Sequence, residues 1–252
     1  MSRLFRSFLN WNIYASKAFN SLFPADMVRD GNNYFLTQTL PAALTVGAKV
    51  YDVGGGSQPC ISLKTKAEMG LKLVGIDLSR DELDRAPSGI YDEKLVVDLC
   101  TYQGRGDADI IICQSTLEHT HNTAAAIQGI ASILRQGGLV YIFVPCKNAT
   151  FARLNRVLPQ KLKERILFSF FPGIKDHQGF PAFYDSCTPR QMSKNLSDVG
   201  LEVENIQVFW MSSYFMVFFP LFFVWRMWQL IYRLLVSSEA AETFIIIARK
   251  RF

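Results

Sequence analysis

The stretch that decides the fold is VYDVGGGSQP, residues 50–59, where a short apolar run ends at an acid and three glycines. An apolar, β-branched run of this length, bounded by turn-forming residues, predicts a buried strand. Glycines allow a tight turn and let the backbone approach a ligand, because no Cβ stands in the way. We therefore expect a strand that leads directly into a ligand-admitting loop.

The same strand pattern recurs along the chain and alternates with helical stretches. The predicted strands are short, rich in Val and Ile, and bounded by Gly, Asp or Pro: 49–53, 72–76, 93–97, 108–113 and 138–144. Segments 79–85 and 123–135 can form helices between them. Alternation of this kind predicts a parallel sheet covered on both faces, with its ligand at the carboxyl ends of the strands.

The residues that follow the first three strands together predict a pocket for an adenine nucleoside. Gly54 and Gly56 follow the first strand. Asp77 ends the second, where a carboxylate can accept hydrogen bonds from both ribose hydroxyls. After the third strand, Asp98 can receive a base amino group and Leu99 can cover the ring. Each feature alone is common in turns and helix caps, but their succession at three strand ends is specific.

Two other nucleotide-binding loops are excluded by the same residues. A dinucleotide fingerprint needs a third glycine after Gly54 and Gly56, and the chain instead continues to Pro59. The loop also lacks the GK[ST] sequence that cradles phosphates in a P-loop.

Four segments resemble the motifs of class I S-adenosylmethionine-dependent methyltransferases: VYDVGGG, GIDLS, DIIICQSTLEH and LRQGGLVYIFVP. The resemblance covers about residues 48–146 and resumes at 188–209 and 242–250. It implies an α/β fold with a Rossmann-like, seven-stranded, mainly parallel sheet that has helices on both faces. It also implies an enzyme whose cofactor is S-adenosyl-L-methionine.

The resemblance carries a set of cofactor-binding residues onto this sequence. These would be Asp52, Gly54, Gly56, Asp77, Asp98, Leu99 and Gln114. Asp52 and the two glycines would frame the methionine and ribose side, and Asp77 would bind the ribose. Asp98 and Leu99 would hold adenine, while Gln114 would lie near the cofactor at the end of the fourth strand.

Two of the three histidines are candidate catalytic residues. Methyl transfer to oxygen usually needs a base, and the pKa of histidine suits that task near neutral pH. His119 follows the fourth strand, and His177 lies in HQGFPAFYDSCTP, a loop expected to close over the site. We predict no metal site, because His119 and His121 have no apparent third ligand.

Outside the motifs, the sequence predicts an N-terminal helical extension (1–47) before the methyltransferase domain (48–252). In the extension, apolar residues recur at helical spacing among basic ones, so this helix could pack on the domain or lie on a membrane. Within the domain, 147–187 reads as a basic substrate or lid segment. From Lys147 to Arg190 there are eight basic and three acidic residues. A solvated helix face is one interpretation of this charge. No nucleic-acid motif accompanies it, so no nucleic acid is expected, and the apolar insertion near the C-terminus makes a membrane surface the favoured partner.

The resemblance implies a sixth strand at 201–209 and a seventh at 242–250, and a hydrophobic insertion, 210–238, separates them. Residues 205–225 carry no charge, and as a helix they would reach roughly 30 Å, the thickness of a bilayer core. A single crossing is nevertheless rejected, because it would place two strands of one sheet on opposite sides of the membrane. We expect Pro220 to divide the insertion into two short helices, about 211–219 and 221–236.

In the second of these helices, a narrow polar stripe suggests how the insertion would lie on a membrane. Arg226, Gln229 and Arg233 fall at i, i+3 and i+7 on an otherwise apolar helix. This pattern predicts an interfacial membrane helix whose two arginines lie near phosphate headgroups. A dimer interface and a lid over an apolar substrate are the alternatives.

The whole chain looks like a membrane-associated bacterial branch of the type-11 methyltransferase domains. The expected function is O-methylation of a lipid-linked glycan or other apolar acceptor by a peripheral or monotopic protein on the cytoplasmic face of the membrane. Five widely spaced cysteines without a CxxC pair favour a reducing compartment. The alternatives are a methyltransferase acting on a quinone or other prenylated ring, and a non-catalytic, nucleoside-binding membrane scaffold.

Overall fold

The computed structural model of the chain describes residues 3–150, 152–153, 181–211, 215–235 and 238–251. Its centre is a seven-stranded sheet in the order β3-β2-β1-β4-β5-β7-β6, in which β7 alone runs antiparallel to its neighbours. The strands are β1 (Lys49–Val53), β2 (Lys72–Asp77), β3 (Glu93–Val96), β4 (Ala108–Gln114), β5 (Leu134–Pro145), β6 (Leu201–Phe209) and β7 (Thr243–Lys250). The predicted Rossmann-like fold is confirmed.

Helices cover the sheet, and the N-terminal ones precede β1. They are α1 (Arg3–Asn20), α2 (Ala25–Val28), α3 (Gly31–Tyr34), α4 (Leu40–Ala43), α5 (Leu63–Met69), α6 (Arg80–Asp84), α7 (Thr123–Ile133), α8 (Pro189–Asp198) and α9 (Phe219–Leu235). A π-helical turn, Phe35–Thr39, joins α3 to α4, and 3-10 turns occupy Leu117–His119 and Ser238–Ala240. Side-chain caps define where α5 to α8 begin, because Ser62, Ser79, Asn122 and Thr188 each accept a hydrogen bond from the backbone N–H three residues ahead.

The central strands are buried on both faces, which explains why they read as continuous apolar runs. In β4, Ile111 and Cys113 belong to the core on one side of the sheet, while Ile110 and Ile112 belong to the core on the other. The α7 helix ends at Ile133 rather than at the predicted residue 135, since Leu134 already pairs with Ala108 at the start of β5.

The insertion between β6 and β7 contains one described helix, so the predicted pair of helices is wrong. Residues 215–218 form turns, and α9 begins at Phe219. Pro220 is the second residue of α9 rather than a break between two helices, because proline fits the first helical turn, where its missing N–H costs nothing. Within the ranges that the structure describes, no helix combines the length and apolarity needed to cross a bilayer.

The polar stripe of α9 points inward, so the prediction that Arg226 contacts headgroups is wrong. Arg226 and Gln229 are fully buried. The Arg226 guanidinium donates to the carbonyl oxygens of Met27 (2.7 Å) and Trp210 (2.9 Å) and to Oε1 of Gln229 (2.6 Å). Arg233 is half-buried and pairs with Asp26 at 2.8 Å. The acceptors on Met27, Trp210 and Asp26 lie outside α9, so the helical spacing could not reveal them.

A second buried polar stripe attaches α1 to the start of α9. Asn12, Ser16 and Asn20 lie on one side of α1 and are almost completely buried. The Phe219 N–H donates to Oδ1 of Asn12 at 2.8 Å, and the Ser16 hydroxyl donates to the carbonyl of Met216 at 3.0 Å. The N-terminal helix therefore packs on the domain through polar contacts. The domain boundaries at 47 and 48 stay a prediction, and most of the basic segment 147–187 lies outside the described residues.

Replacing Arg226 tests the buried stripe of α9. Arg226→Ala should lower the free energy of unfolding by about 3–5 kcal/mol, because it leaves buried hydrogen-bond acceptors on three segments without a donor. The control on the same helix, Arg233→Ala, should cost less than about 1 kcal/mol, since that ion pair is partly solvated. Denaturant unfolding measures both values. Equal losses in the two variants would show that Arg226 does not anchor α9.

Candidate functional site

The loops after β1, β2 and β4 meet at one edge of the sheet, where the candidate cofactor residues converge. Gly54 (φ +74°) and Gly56 (φ +46°) both adopt the left-handed conformation that favours glycine. A Cβ at Gly54 would overlap the side chain of Thr116, whose hydroxyl donates to the carbonyl of Val53 at 3.1 Å. The first glycine is thus required by the close approach of the β4 loop.

Asp52 lies beneath this loop and is completely buried. Its Oδ2 accepts hydrogen bonds from the Cys60 N–H (3.1 Å) and the Tyr91 hydroxyl (3.3 Å), whereas Oδ1 has no partner among the described residues. Burial raises the pKa of Asp52 to about 6. A buried carboxylate oxygen without a donor suits a cationic ligand, and S-adenosyl-L-methionine carries both an ammonium and a sulfonium group.

Asp77 ends β2 and has a second carboxylate beside it. Its Oδ1 accepts a hydrogen bond from the Ser79 N–H at 2.9 Å, and burial raises its pKa. A Cβ at Gly56 would lie 3.1 Å from Oδ2 of Asp77 and 3.2 Å from Cβ of Glu82, so glycine keeps the space beside both acids open. The Ser57 hydroxyl holds Glu82 at 2.7 Å. These residues fit a ribose-binding position at the end of β2.

The predicted adenine residues take two different positions. Asp98 is exposed, and its Oδ1 accepts a hydrogen bond from the Cys100 N–H at 2.9 Å. Leu99 is buried, with its Cδ1 directed at the position where Gly129 of α7 lacks a side chain. Leu99 thus helps to pack α7 on the sheet, and the adenine contacts of both residues stay predictions.

Gln114 connects the end of β4 to the N-terminal helices. Its side-chain amide donates to Oδ1 of Asn32 on α3, while its carbonyl oxygen accepts from the Cys60 thiol at 2.8 Å. Ser115, the next residue, has a φ of +50°, which is uncommon for a residue with a side chain and typical of functional sites. Gln114 therefore lies at the predicted edge, in contact with both the β1 loop and α3.

His119 lies in the 3-10 turn after β4 and has an oriented ring. Its Nδ1 is 3.1 Å from the carbonyl oxygen of Pro181, an acceptor that assigns the proton to Nδ1 and leaves Nε2 as the basic nitrogen. The His121 ring instead contacts Phe183 in a tilted arrangement, with ring centroids 3.5 Å apart and an interplanar angle of 32°. His177 lies outside the described residues, so its role stays a prediction.

Glu118 is a buried acid that the sequence reading missed. Burial raises its pKa to about 8, and its Oε2 has no partner among the described residues. Its backbone carbonyl accepts hydrogen bonds from the N–H groups of Phe183 (2.8 Å) and Tyr184 (3.0 Å). Glu118 thereby fixes the start of the segment 181–187 at the end of β4.

Sequence reasoning also missed Glu82, Tyr91 and Asn32, and only one of them has a local signal in the sequence. Glu82 stands in a Ser-x-x-Glu sequence with Ser79, a local signal that places it in the first turn of α6, and its N–H donates to the Ser79 hydroxyl at 3.3 Å. Tyr91 and Asn32 reach the site only through tertiary contacts. In the part of the chain that the structure describes, no group of three His, Cys, Asp or Glu residues could hold a metal ion.

Residues 29–206 match a family model described as a methyltransferase domain. This match covers more than half of the chain, and it confirms the predicted methyltransferase domain, the enzyme class and S-adenosyl-L-methionine as its cofactor.

Curated relatives at lower similarity carry a more specific name. The chain is 26% identical over 166 residues to a ubiquinone biosynthesis O-methyltransferase of Cupriavidus pinatubonensis, covering 62% of this chain and 61% of the relative. It is 27% identical over 167 residues to that of Thiobacillus denitrificans, covering 64% and 67%. The match to the first relative thus spans less than two thirds of its length.

Solved structures share the fold at low identity. A methyltransferase of Bacillus halodurans described only by its class is 16% identical, with a TM-score of 0.55 over 86% of this chain and 99% of that one. Phosphoethanolamine N-methyltransferase 2 of Haemonchus contortus, solved in complex with S-adenosyl-L-methionine, is 16% identical. Its TM-score is 0.56 over 98% of this chain and 60% of that one.

Replacing Asp77 tests the ribose position. Asp77→Ala should weaken S-adenosyl-L-methionine binding about ten- to a hundredfold, since losing a charge-assisted hydrogen-bond pair costs about 1.5–3 kcal/mol. The exposed neighbour Asp81 provides the control, and Asp81→Ala should bind like wild type. Titration calorimetry measures both affinities. Unchanged affinity in the Asp77 variant would contradict the assignment.

The raised pKa of Glu118 predicts a pH-dependent stability. Burial in the folded state raises the pKa of Glu118 from 4.5 to about 8, so between these pH values the folded state binds more protons than the unfolded state. The free energy of unfolding therefore falls as the pH rises from about 4.5 to about 8. Glu118→Gln should therefore lose less unfolding free energy between pH 5 and pH 8 than wild type does, by on the order of a few kcal/mol. The exposed Glu68→Gln should keep the wild-type slope. Denaturant midpoints across that range give the comparison, and parallel wild-type and Glu118→Gln slopes would contradict it.

Proposed function

The chain belongs to the methyltransferase-domain family, and we propose that it transfers a methyl group to a hydroxyl oxygen of an apolar, membrane-resident acceptor. The proposed location is the cytoplasmic face of the membrane, as a peripheral or monotopic protein. The observation that carries the oxygen specificity is the His119 ring, whose Nδ1 faces a carbonyl and whose Nε2 is therefore basic.

The chemistry at the site needs alignment and a proton acceptor. When bound, S-adenosyl-L-methionine supplies a methyl group on an already activated sulfonium. The protein then has to hold the acceptor oxygen in line with that methyl group and exclude competing geometries. Nε2 of His119 would take the proton of the acceptor hydroxyl when its oxygen is methylated. The hydrogen bond from Nδ1 to Pro181 stabilises the imidazolium that results.

A hydroxylated, prenylated ring is the acceptor class that we favour. The relatives from Cupriavidus and Thiobacillus are named for O-methylation in ubiquinone biosynthesis. These names support an acceptor whose aromatic ring carries both a hydroxyl group and an apolar chain. The lipid-linked glycan expected from the sequence is the second candidate. It shares the hydroxyl chemistry and the membrane location.

Methyl transfer from labelled S-adenosyl-L-methionine into a total membrane lipid extract tests the proposal. Mass spectrometry of the labelled product should show a methyl ether on a hydroxylated ring that carries a prenyl chain. Label in a glycolipid would select the second candidate. Cofactor binding without turnover on the extract, on purified prenylated phenols and on glycolipids would favour the non-catalytic scaffold and contradict the proposal.

Replacing His119 tests its role as the base. His119→Asn should lower kcat about a hundredfold or more while leaving cofactor affinity within a factor of about two, because general-base catalysis contributes 10²–10⁴-fold. His121→Asn is the matched control two residues away and should keep the wild-type kcat. Steady-state kinetics on the acceptor identified by labelling measure kcat for both variants. A His119 variant with unchanged kcat would remove the histidine from the mechanism.

A further inference from the structure

The exposed apolar side chains of this protein are concentrated on α1, α9 and the residues that adjoin them. Among the described residues, fourteen of the nineteen large hydrophobic side chains that are exposed lie there. They are Phe5, Phe8, Trp11, Tyr14, Leu22, Val217, Phe218, Leu221, Phe223, Val224, Trp228, Ile231, Leu234 and Leu235. We call this set the α1–α9 surface.

The α9 helix is inverted relative to the amphipathic helices of a water-soluble domain, and α1 also buries a polar stripe while it exposes large apolar side chains. On α9, Arg226 and Gln229 are buried, whereas Val224 is 62% exposed and Leu234 is 70% exposed. On α1, a buried polar stripe faces the insertion while Trp11 is 62% exposed. Polar residues normally occupy the solvent face of a surface helix, and an extended apolar surface marks an interaction site. The arrangement indicates that the α1–α9 surface has an apolar partner.

The charges on these helices indicate what the partner is. Neither α1 nor α9 contains an Asp or Glu, and Arg6 and Lys17 are exposed on α1. A second copy of the chain would bring such cations together without an acid on either helix to pair with them. A bilayer that contains anionic lipids offers both an apolar interior and negative headgroups. Trp11 and Trp228 add the aromatic side chains that favour the boundary between the two.

The topology places this surface beside the candidate active site. The β6 strand runs in the same direction as β1 to β5, and β7 returns antiparallel to it, so the insertion leaves and re-enters the sheet at the carboxyl edge. Arg226 of α9 binds the Met27 carbonyl, and Asn32, five residues further along the chain, contacts Gln114 at the end of β4. A membrane bound by α9 would thus lie next to the loops after β1, β2 and β4, where the candidate cofactor residues converge.

We propose that the α1–α9 surface docks this protein on anionic membranes, with the apolar side chains of both helices at the boundary of headgroups and acyl chains. Arg6 and Lys17 contact the lipid phosphates, while Arg226 stays inside the protein and holds α9 in its inverted orientation. The proposal deepens the proposed function, because it brings the catalytic cleft to an acceptor dissolved in the bilayer. Docking itself does not depend on methyl transfer.

Vesicle co-sedimentation of the full-length protein tests the apolar side chains. With vesicles of phosphatidylcholine and phosphatidylglycerol, the double variant Val224→Glu and Leu234→Glu should partition about tenfold or more weakly than wild type. The matched control makes the same chemical change off the surface, at Val46→Glu and Leu63→Glu, which are also exposed. The control should bind like wild type. Equal binding by all three proteins, or an equal loss in both double variants, would overturn the proposal.

A second pair of substitutions tests the lipid charge. Arg6→Glu together with Lys17→Glu should weaken binding to the phosphatidylglycerol vesicles about tenfold and leave the weaker binding to pure phosphatidylcholine unchanged. Cofactor affinity by calorimetry should be unchanged in every variant, which shows that each one is folded.

One outcome would assign the surface differently. A stable wild-type dimer that the Val224 and Leu234 variant dissociates, with vesicle binding unaffected, would give the surface to a second copy of the chain. Methyl transfer to a detergent-dispersed acceptor is measured separately. If the wild-type protein binds vesicles but does not methylate the dispersed acceptor, the proposed function is contradicted and membrane docking stands. Normal methyl transfer without vesicle binding would contradict docking alone.

Discussion

The common direction of six strands is the constraint on which the rest of the structure depends. Because β1 to β6 run parallel within one sheet, their carboxyl ends meet at a single edge, and every loop that follows them is brought there. Gly54, Asp77 and Gln114 are far apart in the chain and become neighbours for this reason. The antiparallel β7 adds a further consequence, since it returns the insertion after β6 to that same edge. The proposed membrane surface and the candidate site are thereby adjacent.

Burial removes three carboxyl groups from solvent and thereby disfavours their charged forms. Burial raises the pKa of Asp52 to about 6, of Glu118 to about 8 and of Glu242 to about 7. Glu242 accepts a hydrogen bond from Gln229 at 2.6 Å, and Gln229 in turn accepts one from Arg226. Asp52 lies under the glycine loop with one oxygen unpaired among the described residues, where a cationic ligand would supply the missing partner. Hydrogen bonds thus offset the desolvation of Glu242 at the α9 anchor, whereas Oδ1 of Asp52 has no such partner among the described residues and is available to a ligand.

The reversed polarity of α9 shows how a local pattern and its tertiary setting can disagree. Arg226, Gln229 and Arg233 share one face at helical spacing, and that spacing alone favours a solvent or headgroup position. The carbonyl groups of Met27 and Trp210 need donors once α2 and the end of β6 pack together, and the Arg226 guanidinium satisfies them. The polar face consequently turns inward, and the apolar residues that a water-soluble helix would bury are left outside.

The sequence by itself determined the sheet, the cofactor class and the edge at which the site lies. Strand alternation is a local pattern of apolar residues and turns, and the bounds of β1, 49–53, follow from it without change. It could not predict the contacts of Tyr91 and Asn32 with the site, the burial of Glu118, or the direction in which α9 faces. Each of these depends on groups tens to hundreds of residues apart, because a buried polar atom takes whichever partner the packed fold brings within hydrogen-bond distance. Periodicity assigns a residue to a face of its helix or strand, and only the tertiary structure decides what that face meets.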